Sequence, residues 1–580
     1  MPTLISRATR VGALSALAAL STACGGGTTP PPQLAAATPA NLNGACDQLS
    51  SALAGLPNTQ VTAVETIATG TLSQGGQPVA EHCRVTGKMH ERVSPVDGAT
   101  YAIGFEMRLP KAWNGRFLHQ GNGGIDGVVQ PAVGALGGGP LTGALHQGFG
   151  VLCSDAGHSG STPGFGIDPQ ARLDYGYQAV AKLTPMAKET IKRAYGKGPD
   201  RSYFAGCSNG GRHAMVAATR YYADYDGVLA GAPGYNLPKA AVANLAGARL
   251  YQSVATTTVN NQIDLATAMT DTERQLLANR VVAKCDALDG ATDGLVQDVA
   301  ACQASFKLAE DVPTCSGARD GTCLSAGQKS VLAQIFSGPT TSKGERIYAS
   351  FPFDGGFGAG KAGVASGGSP VGSGVAFWEF FAAINLDAGA TGLIFGSPPQ
   401  NLASFNPLNF ALTTDIDALN ASMYATSGLY SEAAMSFMTP PKPTQMHGLR
   451  DRGGKIVVYH GVSDSIFSVN DSEAWFKGAS NDTGDDFARF YRVPGMGHCS
   501  GGPATDQFDL LTPLVNWVEK GQAPADITAT ARGAGNPGGV NTDVPAGWAA
   551  DRTRPLCPYP QVARYKGTGS LELASSFTCR

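Results

Sequence analysis

The pentapeptide Gly206-Cys207-Ser208-Asn209-Gly210 constrains this chain more than any other stretch. It has the form G-x-S-x-G, follows a run at 202–205 (Ser-Tyr-Phe-Ala) that reads as a strand, and precedes residues 212–222, which read as a helix. A strand that turns into a helix this abruptly needs glycine on both sides of the central serine, because a β-carbon there would meet backbone. The turn holds Ser208 up at the end of a sheet, at the start of a helix whose N–H groups favour negative charge. Ser208 is therefore the candidate nucleophile. The competing reading is a glycine-rich turn with an incidental serine.

The surrounding pattern supports a sheet of the right kind. Residues 101–109 alternate like a half-buried strand, and 116–119 and 149–154 read as further strands. Residues 173–195 have helical spacing, with Tyr177, Val180, Leu183 and Ile191 on similar faces. Strand–helix–strand alternation implies a mostly parallel sheet with helices on both faces. The alternation lapses after Gly234 and returns with the β-branched run 455–460. Residues 46–234 and 441–580 thus read as two parts of one core, and 235–440 as an insertion.

A serine hydroxyl attacks only when a base takes its proton, so a histidine and an orienting acid are needed. Asp464 follows the strand 455–460, and His498 follows a strand at 490–493, after Pro494-Gly495-Met496-Gly497. Serine, acid, histidine is the chain order of the α/β-hydrolase fold. The expected class is α/β, an α/β-hydrolase core with a large inserted lid, and Ser208, Asp464 and His498 are its candidate catalytic residues. His460 is expected to support the site; His158 precedes the serine; Asp155 and Asp471 are weaker acid candidates. Two backbone N–H groups should face the developing oxyanion, one from Asn209 and one from Gly124 in the run Gly121-Asn122-Gly123-Gly124. Cys207 and Cys499 adjoin the serine and the histidine, so a disulfide between them would tie both loops together.

Composition excludes some partners and points to a compartment. With a net charge of −3 and no Lys/Arg cluster, nucleic acid is not an expected ligand. Residues 1–23 read as a signal peptide: a basic start at Arg7 and Arg10, then an apolar run too short to span a bilayer. Cys24 is a possible lipid attachment point, the one expected route to a membrane, and 24–45 reads as a flexible tether. The protein is expected to be exported: periplasmic, an outer-membrane lipoprotein, or secreted. Its 12 cysteines suit an oxidising compartment. Close spacings at Cys285/Cys302 and Cys315/Cys323 point to locally stapled loops but leave the pairing open. The loop 285–295 holds Asp286, Asp289 and Asp293 among glycines, a set that suits Ca²⁺ in a structural role; a solvated acidic turn is the alternative.

The elbow, this acidic loop and Pro494-Gly495-Met496-Gly497-His498-Cys499 together resemble the tannase and feruloyl esterase family. So do Trp113-Asn114-Gly115-Arg116-Phe117, Ala232-Pro233-Gly234-Tyr235 and Arg554-Pro555-Leu556-Cys557-Pro558-Tyr559-Pro560. The resemblance runs from about Cys46 to Cys579 and implies a serine carboxylesterase acting through an acyl-enzyme, with no organic cofactor. It implies calcium on the Asp286, Asp289 and Asp293 side chains and the Ala291 and Leu295 carbonyls. It also implies disulfides 46–83, 207–499, 285–302, 315–323 and 557–579, with Cys153 free and Cys24 left for lipid. The implied substrate is a small aromatic ester of the mono(2-hydroxyethyl) terephthalate, feruloyl or galloyl type, with Phe467 packing on its ring. One departure concerns substrate: a terephthalate-ester-cleaving member of the family uses a lid arginine to clamp its substrate's free carboxylate, yet between Arg346 and Arg450 there is no arginine, only Lys361 and Lys442. Phe377, Trp378, Phe380 and Phe381 are either pocket lining or lid core. The alternatives are a peptidase or acyltransferase with the same triad, and a non-catalytic, calcium-stabilised surface binding protein.

Overall fold

The computed structural model describes Met1 and residues 30–136, 141–259, 261–357, 359 and 377–580. The expected signal peptide and Cys24 lie outside the described residues, as do Lys361 and the side chains of Phe377, Trp378, Phe380 and Phe381.

Nine strands form the central sheet: β1 (Thr59–Ile67), β2 (His82–Val93), β3 (Thr100–Pro110), β4 (Arg116–Gly121), β5 (Gly150–Ser154), β6 (Arg201–Cys207), β7 (Gly227–Gly231), β8 (Lys455–Gly461) and β9 (Ala488–Val493). Their order is β9-β8-β7-β6-β4-β5-β3-β2-β1. From β9 to β5 every pairing is parallel, whereas β5-β3, β3-β2 and β2-β1 are antiparallel. The antiparallel hairpin β1-β2 is not evident from the sequence, because much of β1 is exposed and its apolar residues do not form a continuous run.

Adjacent residues on the central strands face opposite layers. Phe117, Phe204, Val228, Ile456 and Phe490 pack against helices α1 (Ala179–Tyr195), α2 (Asn209–Arg220) and α6 (Val469–Asp482). Leu118, Tyr203, Leu229, Val457 and Tyr491 pack against α7 (Leu511–Lys520) through Leu511, Leu514 and Trp517. Burial on both faces explains why β5 and β7 and the middle of β8 read as apolar runs. The helical stretch expected over 173–195 is composite: a π-helical segment, Asp174–Gln178, leads into α1.

Between β7 and β8 the described residues contribute no strand to this sheet. It carries α3 (Leu237–Gln252), α4 (Asp271–Cys285) and α5 (Ala326–Ser337), which build a separate core from Val242, Leu245, Leu277, Val281, Val331 and Leu332. The five disulfides are Cys46–Cys83, Cys207–Cys499, Cys285–Cys302, Cys315–Cys323 and Cys557–Cys579. Among the described cysteines only Cys153 is a free thiol, and it is buried. No described helix is long and apolar enough to cross a membrane.

Candidate active site

The elbow between β6 and α2 is as tight as the sequence requires. A β-carbon on Gly206 would lie 2.7 Å from Gly210 backbone, and one on Gly210 would lie 2.4 Å from the Gly121 carbonyl oxygen. Ser208 itself adopts φ 66°, ψ −126°, a left-handed conformation that non-glycine residues rarely take. The strained turn lifts its side chain out of the sheet edge.

Two loops from neighbouring strands meet it there. Asp464 follows β8 and His498 follows β9. Ser208 Oγ donates to His498 Nε2 at 2.7 Å, and His498 Nδ1 donates to Asp464 Oδ2 at 2.7 Å. Asp464 is fully buried; Ile466 and Phe467 N–H groups donate to its Oδ1 at 3.0 Å each. Burial alone would raise Asp464, but the facing His498 and His460 rings outweigh it and hold the carboxyl well below its ordinary value. The acid is therefore ionised wherever an imidazolium needs it.

His460 supports the acid. Its Nε2 faces two acceptors, the Phe467 carbonyl at 2.9 Å and Asp464 Oδ2 at 3.3 Å, while Nδ1 accepts from Ser472 Oγ at 2.8 Å. The Cys207–Cys499 disulfide fastens the residue before Ser208 to the residue after His498. The ring of Phe467 stands edge-on to His498 with centroids 5.2 Å apart. The weaker acid candidates lie elsewhere: Asp155 accepts from the Gly104 and Gly157 N–H groups, and Asp471 from Tyr235 and Asn236. His158 donates to the Ile125 carbonyl and stacks on Phe165.

Gly124 lies on the turn after β4, with φ 64°. This turn approaches the elbow closely: a β-carbon on neighbouring Gly123 would lie 3.6 Å from Ser208 Cβ. Asn209 is the first residue of α2, where the backbone N–H has no partner within the helix. The Gly123-Gly124 turn and the first residue of α2 thus both lie close to the serine.

Sequence reasoning missed two supports. Asp354, from the inserted segment, accepts from Ser463 Oγ at 2.6 Å and from the Gly495 N–H at 2.8 Å, joining the acid loop to the histidine loop. Beneath the elbow, Asp126, Asn209, Arg212 and His213 form a buried polar network. Neither is signalled locally, since the partners are far apart in sequence.

The acidic loop is buried and held by Cys285–Cys302. Asp286 accepts from the Asp293, Gly294 and Leu295 N–H groups, Asp289 Oδ1 from the Ala291 N–H at 2.9 Å, and Asp293 pairs with Arg554. Asp289 Oδ2 is buried with no partner, and burial, reinforced by the Asp293 and Asp286 charges, pushes its carboxyl up to about 7. As they lie, no three His, Cys, Asp or Glu side chains among the described residues converge as a closed metal shell. The all-oxygen donor set and the orphaned carboxylate oxygen nonetheless fit a hard cation.

A mixed sheet whose central strands run parallel, a serine on a strained strand-to-helix turn, and an acid and histidine on loops after later strands define an α/β-hydrolase. The family model for tannase and feruloyl esterase matches residues 83–580. The chain is 37% identical over 552 residues to mono(2-hydroxyethyl) terephthalate hydrolase of Piscinibacter sakaiensis, covering 90% of this chain and 88% of that one. It is 26% identical to feruloyl esterase C of Talaromyces stipitatus, covering 93% and 95%. The crystal structure of feruloyl esterase B from Aspergillus oryzae superposes with a TM-score of 0.70 at 23% identity, over 92% of this chain and 99% of that one. The chain belongs to the tannase and feruloyl esterase family and is a carboxylic ester hydrolase.

Proposed function

We propose that this protein is an exported serine esterase that cleaves esters of small aromatic acids by way of an acyl-enzyme. The observation that carries the reading is the unbroken chain of short hydrogen bonds from Ser208 Oγ through His498 to Asp464. His498 takes the serine proton as Ser208 attacks the ester carbonyl, and Asp464 balances the imidazolium that results. The N–H groups of Gly124 and Asn209 receive the oxyanion. His498 then protonates the leaving alcohol, and water repeats the attack on the acyl group to regenerate the serine.

The aromatic preference is supported by Phe467, whose ring borders His498, and by the named substrates of the relatives: mono(2-hydroxyethyl) terephthalate for one, feruloyl esters for others. The inserted segment has no arginine between Arg346 and Arg450 to grip a free carboxylate in a bidentate way. A terephthalate monoester is therefore one substrate among gallate, ferulate and related aromatic esters rather than the preferred one. Calcium, held by Asp286, Asp289 and Asp293 with the Ala291 and Leu295 carbonyls, would neutralise the buried carboxylates and stiffen the loop. It plays no part in the chemical steps.

The test is hydrolysis of a matched panel by wild type and Ser208→Ala. The panel holds mono(2-hydroxyethyl) terephthalate, its uncharged diester, methyl gallate, methyl ferulate and an anilide of one of these acids. Cleavage of the esters by wild type alone is the expected result. Equal rates for the variant, or preference for the amide, would overturn the reading.

A further inference from the structure

We propose that Asp126 is the positioning residue of the oxyanion pocket: it locks the turn bearing Gly124 to the side chain of Asn209 and so sets the distance between the two N–H donors. This rests on the reading of Gly124 and Asn209 as those donors.

Asp126 lies two residues beyond Gly124, in a turn closed by its own N–H to the Gly123 carbonyl at 3.3 Å. Its φ of 55° is a left-handed conformation taken at a cost by a residue other than glycine. The carboxyl group crosses to the elbow, where Oδ2 accepts from Asn209 Nδ2 at 2.8 Å and lies 2.9 Å from His213 Nε2. The other end of the Asn209 amide is fixed as well: Oδ1 accepts from Arg212 Nε at 2.6 Å. Arg212 in turn donates to the carbonyls of Tyr175 at 2.9 Å and Gly176 at 2.7 Å. Tyr175 closes the circuit, its hydroxyl donating to the Gly124 carbonyl at 3.3 Å.

The side chains of the circuit are buried, with Asp126 7% and Asn209 1% exposed, while Gly124 itself is exposed. Burying a carboxyl group and a guanidinium costs free energy that a purely apolar packing would avoid. What this arrangement gains is stiffness at one place: two donors, on separate elements, whose spacing must match a tetrahedral oxyanion within a fraction of an ångström. A merely structural Asp126, balancing Arg212, would affect folding but not discriminate between ground state and transition state.

The discriminating measurement is kinetic. Asp126→Ala, Asp126→Asn and Asn209→Ala are compared with wild type for kcat, KM, inhibition by phenylboronic acid, which forms a tetrahedral adduct with the serine, and inhibition by benzoate, which does not. Melting temperatures establish that each variant is folded. Asp126→Ala is expected to lower kcat about 10- to 100-fold and to weaken phenylboronic acid by a similar factor, with KM and benzoate changed less than about threefold. Asp126→Asn keeps an oxygen for the Asn209 amide and is expected to lose less than about tenfold. Asn209→Ala keeps its backbone N–H but loses the tie, so its loss and that of Asp126→Ala should not add in the double variant. If Asp126→Ala proves unstable, Asn209→Ala and Asp126→Asn decide. A folded variant with unchanged kcat, losses shared equally by benzoate and phenylboronic acid, or additive losses would overturn the proposal. Ser208→Ala in the same assay separates the two readings: wild-type turnover without Ser208 would remove the catalytic assignment itself.

Discussion

Removing the Cys207–Cys499 disulfide should injure both stability and catalysis, and the structure says by how much. The bond closes a loop of 292 residues. For such a length the chain-entropy relation gives about 6 kcal/mol, and native disulfides typically cost about 2–5 kcal/mol when removed. The inner bonds Cys285–Cys302 and Cys315–Cys323 shorten this loop by only 17 and 8 residues, so they change the figure little. We expect Cys207→Ser with Cys499→Ser to lower unfolding free energy by about 2–5 kcal/mol in equilibrium urea titrations. The catalytic effect follows from position: one cysteine precedes Ser208 and the other follows His498. Without the bond, a displacement of about 1 Å between hydroxyl and imidazole would cost about 100-fold in kcat, with KM nearly unchanged. A double variant with wild-type urea midpoint and wild-type kcat would refute the reasoning, because the rest of the fold would then hold both loops unaided.

Three further outcomes can be checked. Asp464→Asn keeps the shape but cannot balance an imidazolium, so kcat should fall about 10³- to 10⁴-fold with the melting temperature measured alongside. Asp387 is buried, and burial raises its carboxyl to about 8 against the lowering effect of the Asn244 amide. Its stabilising contribution is full below about pH 4 and is lost as pH rises toward 8, because the unfolded chain ionises first. Asp387→Asn should therefore match wild type near pH 4 and melt higher at pH 8.5, by an amount equivalent to at most about 6 kcal/mol; a constant difference across pH would contradict this. Chelation of calcium with EGTA should lower the melting temperature by the equivalent of about 3–4 kcal/mol at saturating metal, and Asp289→Asn should abolish that response.

What was legible in the sequence was local. Glycines at 206 and 210 betray the elbow because only they fit against Gly121, and β7 and the middle of β8 announce themselves by apolar runs buried on two faces. The loop positions of Asp464 and His498 follow from β8 and β9. Long-range pairings left no such trace. Asp126 meets His213 across 87 residues, and Asp354 meets Ser463 across 109, each through a single polar contact. The Cys46–Cys83 and Cys557–Cys579 pairings came from the family resemblance, since spacing did not select them. The π-helical stretch at Asp174–Gln178 was likewise hidden, because its residues keep helical periodicity on either side.

The central claim is that Ser208 carries the acyl group. Wild type mixed with an aromatic ester, quenched in acid within milliseconds to seconds and digested, should yield a Ser208-containing peptide heavier by the acyl mass. The adduct should be absent in Ser208→Ala and should fail to form at speed in His498→Ala. An acyl group found on any other residue, or full turnover by Ser208→Ala, would contradict the account.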